Sequence, residues 1–149
     1  MTETDASLIP TGKILPVEGT LCDFRKEVRI GDRQAAMPAA MPAVRPAPGA
    51  PAPQIPEGMV RSFDQNFCLN HTGSGRVEPV ATLYSPQSGR VMEVLNDHPG
   101  LQMYTGNRRA IALESQMFPD SPNHPEFPST TLRPGETYSH TVIYRFSVR

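Results

Sequence analysis

The chain has 149 residues with 14 Lys+Arg against 15 Asp+Glu, a formal net charge of -1. That is length for one ordinary domain, with no positive excess to favour nucleic acid or an anionic membrane as partner. Seventeen prolines, no tryptophan and 38% hydrophobic residues argue against a high-helix fold, since proline breaks helix interiors and cannot donate to a sheet ladder.

Along the chain, the opening MTETDASLIPTG lacks the basic and apolar regions of a secretory signal, and no apolar run approaches the roughly 18 residues of a membrane span. A soluble, cytoplasmic protein is expected. GKILPVEGTLCDF is a short extended piece broken by Pro16 and Gly19. Cys22 within it and Cys68 further on are the only cysteines, each beside apolar residues and in no C-x-x-C spacing, so they read as buried free thiols.

Composition changes at Gln34. From there to Pro56 run seven of the 17 prolines with Arg45 as the one charge, a polyproline-prone linker or exposed loop without the apolar periodicity of a core element. A P-x-x-P match at Pro48 to Pro51 has the form of a ligand for a proline-recognition domain, though an Ala/Pro tract produces such matches by chance. No segment of the chain shows a helical pattern.

After the linker the signals are strand and turn. In VRSFDQNFCLN, Asp64 stands between Phe63 and the pair Phe67 and Cys68, neighbours that limit water access. A local Asx-turn to the Asn66 N–H is the structural alternative to a functional role. PVATLYSPQSGRVMEVLND reads as a hairpin turning at Ser85 to Gly89, and GLQMYTG as a short strand placing Gln102 and Tyr104 opposite Leu101 and Met103.

Arg109 to Met117 alternates next, with Ile111, Leu113, Ser115 and Met117 on one face and Ala112, Glu114 and Gln116 on the other. Glu114 is a lone carboxylate among apolar neighbours, either on a polar face or buried at a cost. In TYSHTVIYRFSV, Tyr138, His140, Val142, Tyr144, Phe146 and Val148 fall on one face of a half-buried antiparallel strand. The fold class is therefore all-β, sandwich-like.

Two of these strands present a carboxylate, two amides and a phenol on faces that can meet in one sheet. That set suits sugar hydroxyls, which donate and accept at once; a solvated sheet face is the plain alternative. Of the four histidines, His71, His98 and His124 read as loop residues and His140 as a packed core residue. None has metal-ligand spacing, so no metal is expected.

At these residues the sequence resembles a family, the aldose 1-epimerases or galactose mutarotases. SLIPTGKILPVEGTLCDFRK, FDQNFCLN, SGRVMEV, PGLQMYTGN and ALESQMFPDSPNHPEFPSTTLRPGETYSHTVIYRF are similar, in order, to passages of that family. The resemblance implies an antiparallel supersandwich, here its C-terminal part over residues 1–149 with the Pro/Ala-rich stretch 34–56 as a loop or linker. It implies interconversion of α and β anomers of free aldohexoses such as galactose or glucose, without cofactor. Glu114 matches the catalytic base, and Asp64 and Gln102 match sugar-binding positions.

Gln65 departs from the histidine usual after the aspartate, and none of the four histidines matches the family's general acid. The resemblance thus implies a truncated or split epimerase whose acid comes from a missing N-terminal half or a second copy. The other readings are a non-catalytic carbohydrate-binding β-sandwich module, a gene fragment without independent role, and a hexose-phosphate epimerase, for which Arg108 and Arg109 are the only basic cluster.

Overall fold

The computed structural model describes residues 1–5, 8–37, 62–70, 75–106 and 110–149. Its elements in chain order are β1 (Thr2–Thr4), β2 (Pro10–Ile14), α1 (Ile30–Ala36), β3 (Asp64–Cys68), β4 (Glu78–Tyr84), β5 (Arg90–Asn96), β6 (Gly100–Tyr104), β7 (Ala112–Gln116), a 3-10 turn at Ser121–Asn123 and β8 (Val142–Val148). The strands form a pair β1-β2 and two three-stranded sheets ordered β3-β6-β7 and β4-β5-β8. Contacts divide the described chain into two compact units, residues 1–67 with 102–113 and residues 68–101 with 114–149.

In the first unit, β1 and β2 pair antiparallel. The core is Met37, Phe63 and Met103, against which Leu21, Phe24, Ile30, Phe67, Ile111 and Leu113 pack. Phe24 stands edge-on to Phe63 at 5.1 Å and to Phe67 at 5.9 Å, a favoured aromatic geometry.

Helix α1 is a correction to the all-strand reading. Two turns are too short for stability from propensity alone; tertiary burial holds it, with Gln34 and Met37 only 7% and 6% exposed. Asp32 in its first turn and Arg33 in its last suit the helix dipole. Met37, which precedes Pro38, is already extended at φ −64°, ψ 141°, as the residue before a proline must be. The stretch expected as linker from Gln34 thus begins inside a helix and the core. Residues 38–56, with the P-x-x-P match, lie outside the described residues, as do His71, Arg108 and Arg109.

A hydroxyl fastens this helix. Thr105, 2% exposed, accepts from the Phe63 N–H at 2.8 Å and from Gln34 Nε2 at 3.1 Å, and lies 3.2 Å from Ser62 Oγ. Ser62 Oγ donates in turn to the Phe63 carbonyl at 3.0 Å. Both lone pairs of Thr105 are used, so its proton goes to Ser62.

The second unit is built on the expected hairpin. β4 and β5 pair antiparallel with a register shift between Pro79 and Ala81. Ser85 closes the turn, its carbonyl accepting from Gly89 N–H at 2.8 Å. β8 adds to the other side of β5, with Arg90 opposite Val148 and Asn96 opposite Val142. Val94, on the central strand, is fully buried. Arg149 lies over the Tyr84 ring at 3.7 Å, a cation–π contact.

The terminal strand departs from expectation in length and burial. It begins at Val142 rather than Tyr138, and its apolar face is open: Tyr144, Phe146 and Val148 are 48%, 72% and 78% exposed. Period two reports that a strand presents an apolar face; burying it takes a second layer, and among the described residues the cover that buries Val94 does not extend over Phe146 and Val148. The thiols too are less enclosed than expected: Cys22 and Cys68 are free but only half-buried. Burial pushes both upward from the ordinary thiol pKa.

Candidate functional site

Asp64 opens β3 and Gln102 stands mid-way along β6, neighbouring strands of one sheet. Alternation decides which way each points. Phe63 is 1% exposed, so Asp64, the next residue, faces out and is exposed. Of the apolar neighbours that seemed to shield Asp64, Phe63 and Phe67 lie on the opposite face. On β6 the same rule buries Leu101 and Met103 and leaves Gln102 half-buried and Tyr104 46% exposed, the faces read from sequence.

The two side chains meet. Gln102 Nε2 donates to Asp64 Oδ1 at 2.6 Å, a short bond to a charged acceptor. Sequence order offered Asn66 as a local partner; the partner seen is 38 residues away. Because a carboxylate only accepts, this bond fixes which end of the amide is nitrogen and leaves Gln102 Oε1 as an acceptor. Oε1 is enclosed and has no partner among the described residues, a state that typically costs about 1–3 kcal/mol.

Glu114 is the central residue of β7 and is exposed, while Ile111 and Leu113 pack inward against the core of the first unit. Of the two readings that alternation left open, the polar face holds. Glu114 belongs to the second unit, whereas Asp64 and Gln102 belong to the first.

The histidines differ from expectation in burial more than in place. His98 lies in the turn between β5 and β6, a loop residue as read from sequence, but is 6% exposed, and half-buried His140 lies on Asp97 rather than in an apolar core. One donor atom each from Asp97, His98 and His140 lie within 4.8 Å of one another, a metal-type grouping that sequence spacing did not reveal. Burial alone would raise the Asp97 pKa, but hydrogen bonds from His140, His98 and the Thr141 N–H outweigh it and hold the carboxyl down at about 2. Among the described residues no helix is long and apolar enough to cross a membrane.

Against known proteins, a family model described as aldose 1-epimerase matches residues 1–145. The galactose mutarotases of Mus musculus and Homo sapiens are each 36% identical over 160 aligned residues, which cover 97% of this chain and 40% of theirs. Aldose 1-epimerase of Escherichia coli K12 is 36% identical over 104 residues, 58% of this chain and 30% of that one. The chain thus spans about two-fifths of the length of the mutarotases it matches. Among solved structures, the GalM/aldose epimerase homologue from C. elegans superposes with a TM-score of 0.74 at 22% identity, covering 99% of this chain and 42% of that one. That likeness carries the fold, a mostly antiparallel β-sandwich.

Proposed function

Because this chain belongs to the aldose 1-epimerase family, we propose that it forms the base-bearing and part of the sugar-binding portion of an aldose 1-epimerase acting on free aldohexoses such as galactose or glucose. The observation that carries the reading is the Asp64–Gln102 pair, an exposed carboxylate locked at 2.6 Å to an amide whose acceptor is without a partner among the described residues. Such a pair can accept from sugar hydroxyls through the exposed carboxylate, which the Gln102 amide holds in place.

Glu114, exposed at the middle of its strand, takes the proton from the anomeric O1. An acid protonates the ring oxygen O5, the C1–O5 bond opens, C1 rotates about C1–C2, and the ring closes on the other face. The acid comes from outside these residues, either an N-terminal half of the family's fold or a second copy of the chain. The reaction needs no cofactor, and its setting is the cytoplasm.

Polarimetry of freshly dissolved α-D-galactose tests this, on the chain alone and together with an N-terminal half supplied in trans. Glu114→Gln is expected to lower the enzymic rate by about 10²–10⁴-fold, the usual contribution of a positioned base. An unchanged rate in that variant would remove Glu114 from the role.

The Asp64–Gln102 pair is complete within the first unit without Glu114, which favours a second reading, a non-catalytic carbohydrate-binding module. In that case calorimetry records saturable heat with galactose or glucose while polarimetry records no anomer exchange.

A further inference from the structure

The register of β5 against β8 has a consequence beyond the sheet. Asn96 faces Val142 where the ladder ends. Carried one and two residues further, the same register sets Asp97 against Thr141 and His98 against His140. The side chains follow it: the Thr141 N–H donates to Asp97 Oδ1 and Oδ2 at 3.2 and 3.1 Å, and the two imidazole rings lie 3.6 Å apart.

Both rings aim a nitrogen at one carboxylate oxygen. His140 Nδ1 is 2.5 Å and His98 Nδ1 3.2 Å from Asp97 Oδ1. On its far side His98 Nε2 lies 2.8 Å from Tyr138 Oη, and the Asn96 side-chain oxygen accepts from the His98 N–H at 3.0 Å. The ring is therefore held from both ends and is 6% exposed.

We infer that Asp97, His98 and His140 form a binding site for one divalent first-row transition cation, zinc being the best chemical fit. Two imidazoles and one carboxylate are a borderline donor set suited to such ions. Metal–ligand bonds of about 2.0–2.2 Å set donors roughly 3.3 Å apart in a tetrahedral site. His98 Nδ1 already has that spacing from Asp97 Oδ1, and the His140 contact has to open by roughly 1 Å. On binding, each neutral imidazole carries its proton on Nε2 instead of Nδ1, and His98 Nε2–H then donates to Tyr138 Oη, an outer partner of the kind that orients metal-bound histidines. A fourth position is left to water. The ion ties the turn between β5 and β6 to the segment that enters β8.

The Asp120–His124–Glu126 group of the same unit serves as control. His124 uses Nε2 toward Asp120 at 3.4 Å and Nδ1 toward Glu126 at 3.3 Å, so its acids lie off different ring nitrogens and cannot share an ion with it.

The test is calorimetric titration of ZnCl₂ into the full chain, freed of metal by a chelator and dialysed. One equivalent of saturable binding is expected, weakened at least tenfold by His140→Ala and by the isosteric Asp97→Asn and unchanged by His124→Ala. Tyr138→Phe, acting through His98, is expected to weaken it by about tenfold. Absence of saturable binding to the folded chain overturns the inference, as does wild-type affinity in either His140→Ala or Asp97→Asn. Far-UV circular dichroism identifies a variant that has not folded, and the other of the two then decides.

Discussion

Replacing Thr105 by valine keeps the shape of the side chain and removes its hydroxyl. In the first unit that hydroxyl accepts at 2.8 Å from the buried Phe63 N–H and at 3.1 Å from Gln34 Nε2. Valine leaves the Phe63 N–H bare, deprives Gln34 of one acceptor and costs Ser62 its donor. At about 1–3 kcal/mol for each buried group left unsatisfied, the expected loss is roughly 2–5 kcal/mol. Serine keeps the hydroxyl and removes one methyl from a 2% exposed site, for which about 1 kcal/mol is the appropriate scale. The predicted order of stability is wild type, then Thr105→Ser, then Thr105→Val. Urea unfolding followed by far-UV circular dichroism measures it, a probe chosen because the chain has no tryptophan. A valine variant as stable as the serine variant would refute the reasoning, since burial of apolar volume would then outweigh the hydrogen bonds that fasten α1.

The same urea assay covers two further substitutions. Gly89 has φ +69°, and a Cβ there would meet the Arg149 carbonyl oxygen at 2.8 Å; Gly89→Ala is expected to cost at least about 1 kcal/mol from the left-handed backbone alone. Phe146→Ser, at a 72% exposed position, is expected to change the stability of this chain by less than about 0.5 kcal/mol, and a loss above 2 kcal/mol would mean that the face of β8 is covered. For the thiols, Cys22 and Cys68 are half-buried with their pKa raised by burial. Their reaction with a disulfide reagent is therefore expected to be slower than in the urea-unfolded chain, and to accelerate with pH through a midpoint above the ordinary thiol value. Equal rates would contradict that burial.

Strand existence was legible from the residues because side-chain alternation along a strand is a local property. The hairpin at Ser85 to Gly89, the faces of β6 and the outward Glu114 all follow from it. Asp64 drew notice because its flanking aromatics suggested enclosure, where alternation delivers exposure; a sugar-binding role for it was implied only by the resemblance. α1 escaped because seven residues carry too little periodicity to announce a helix, and because the Ala/Pro composition that follows begins before the helix ends.

What the sequence determined by itself is the all-β class and the family, for these rest on local alternation and on motifs in order; it offered Glu114, Asp64 and Gln102 as candidates for the base and sugar-binding positions. What only the tertiary structure decided is every partnership across the chain: Gln102 with Asp64, Thr105 with Gln34 and Phe63, and His140 with Asp97 and His98. Such pairs depend on strand order and register, which link positions about 40 to 70 residues apart through hydrogen bonds between backbones. The pattern of side chains along any one segment carries no record of them.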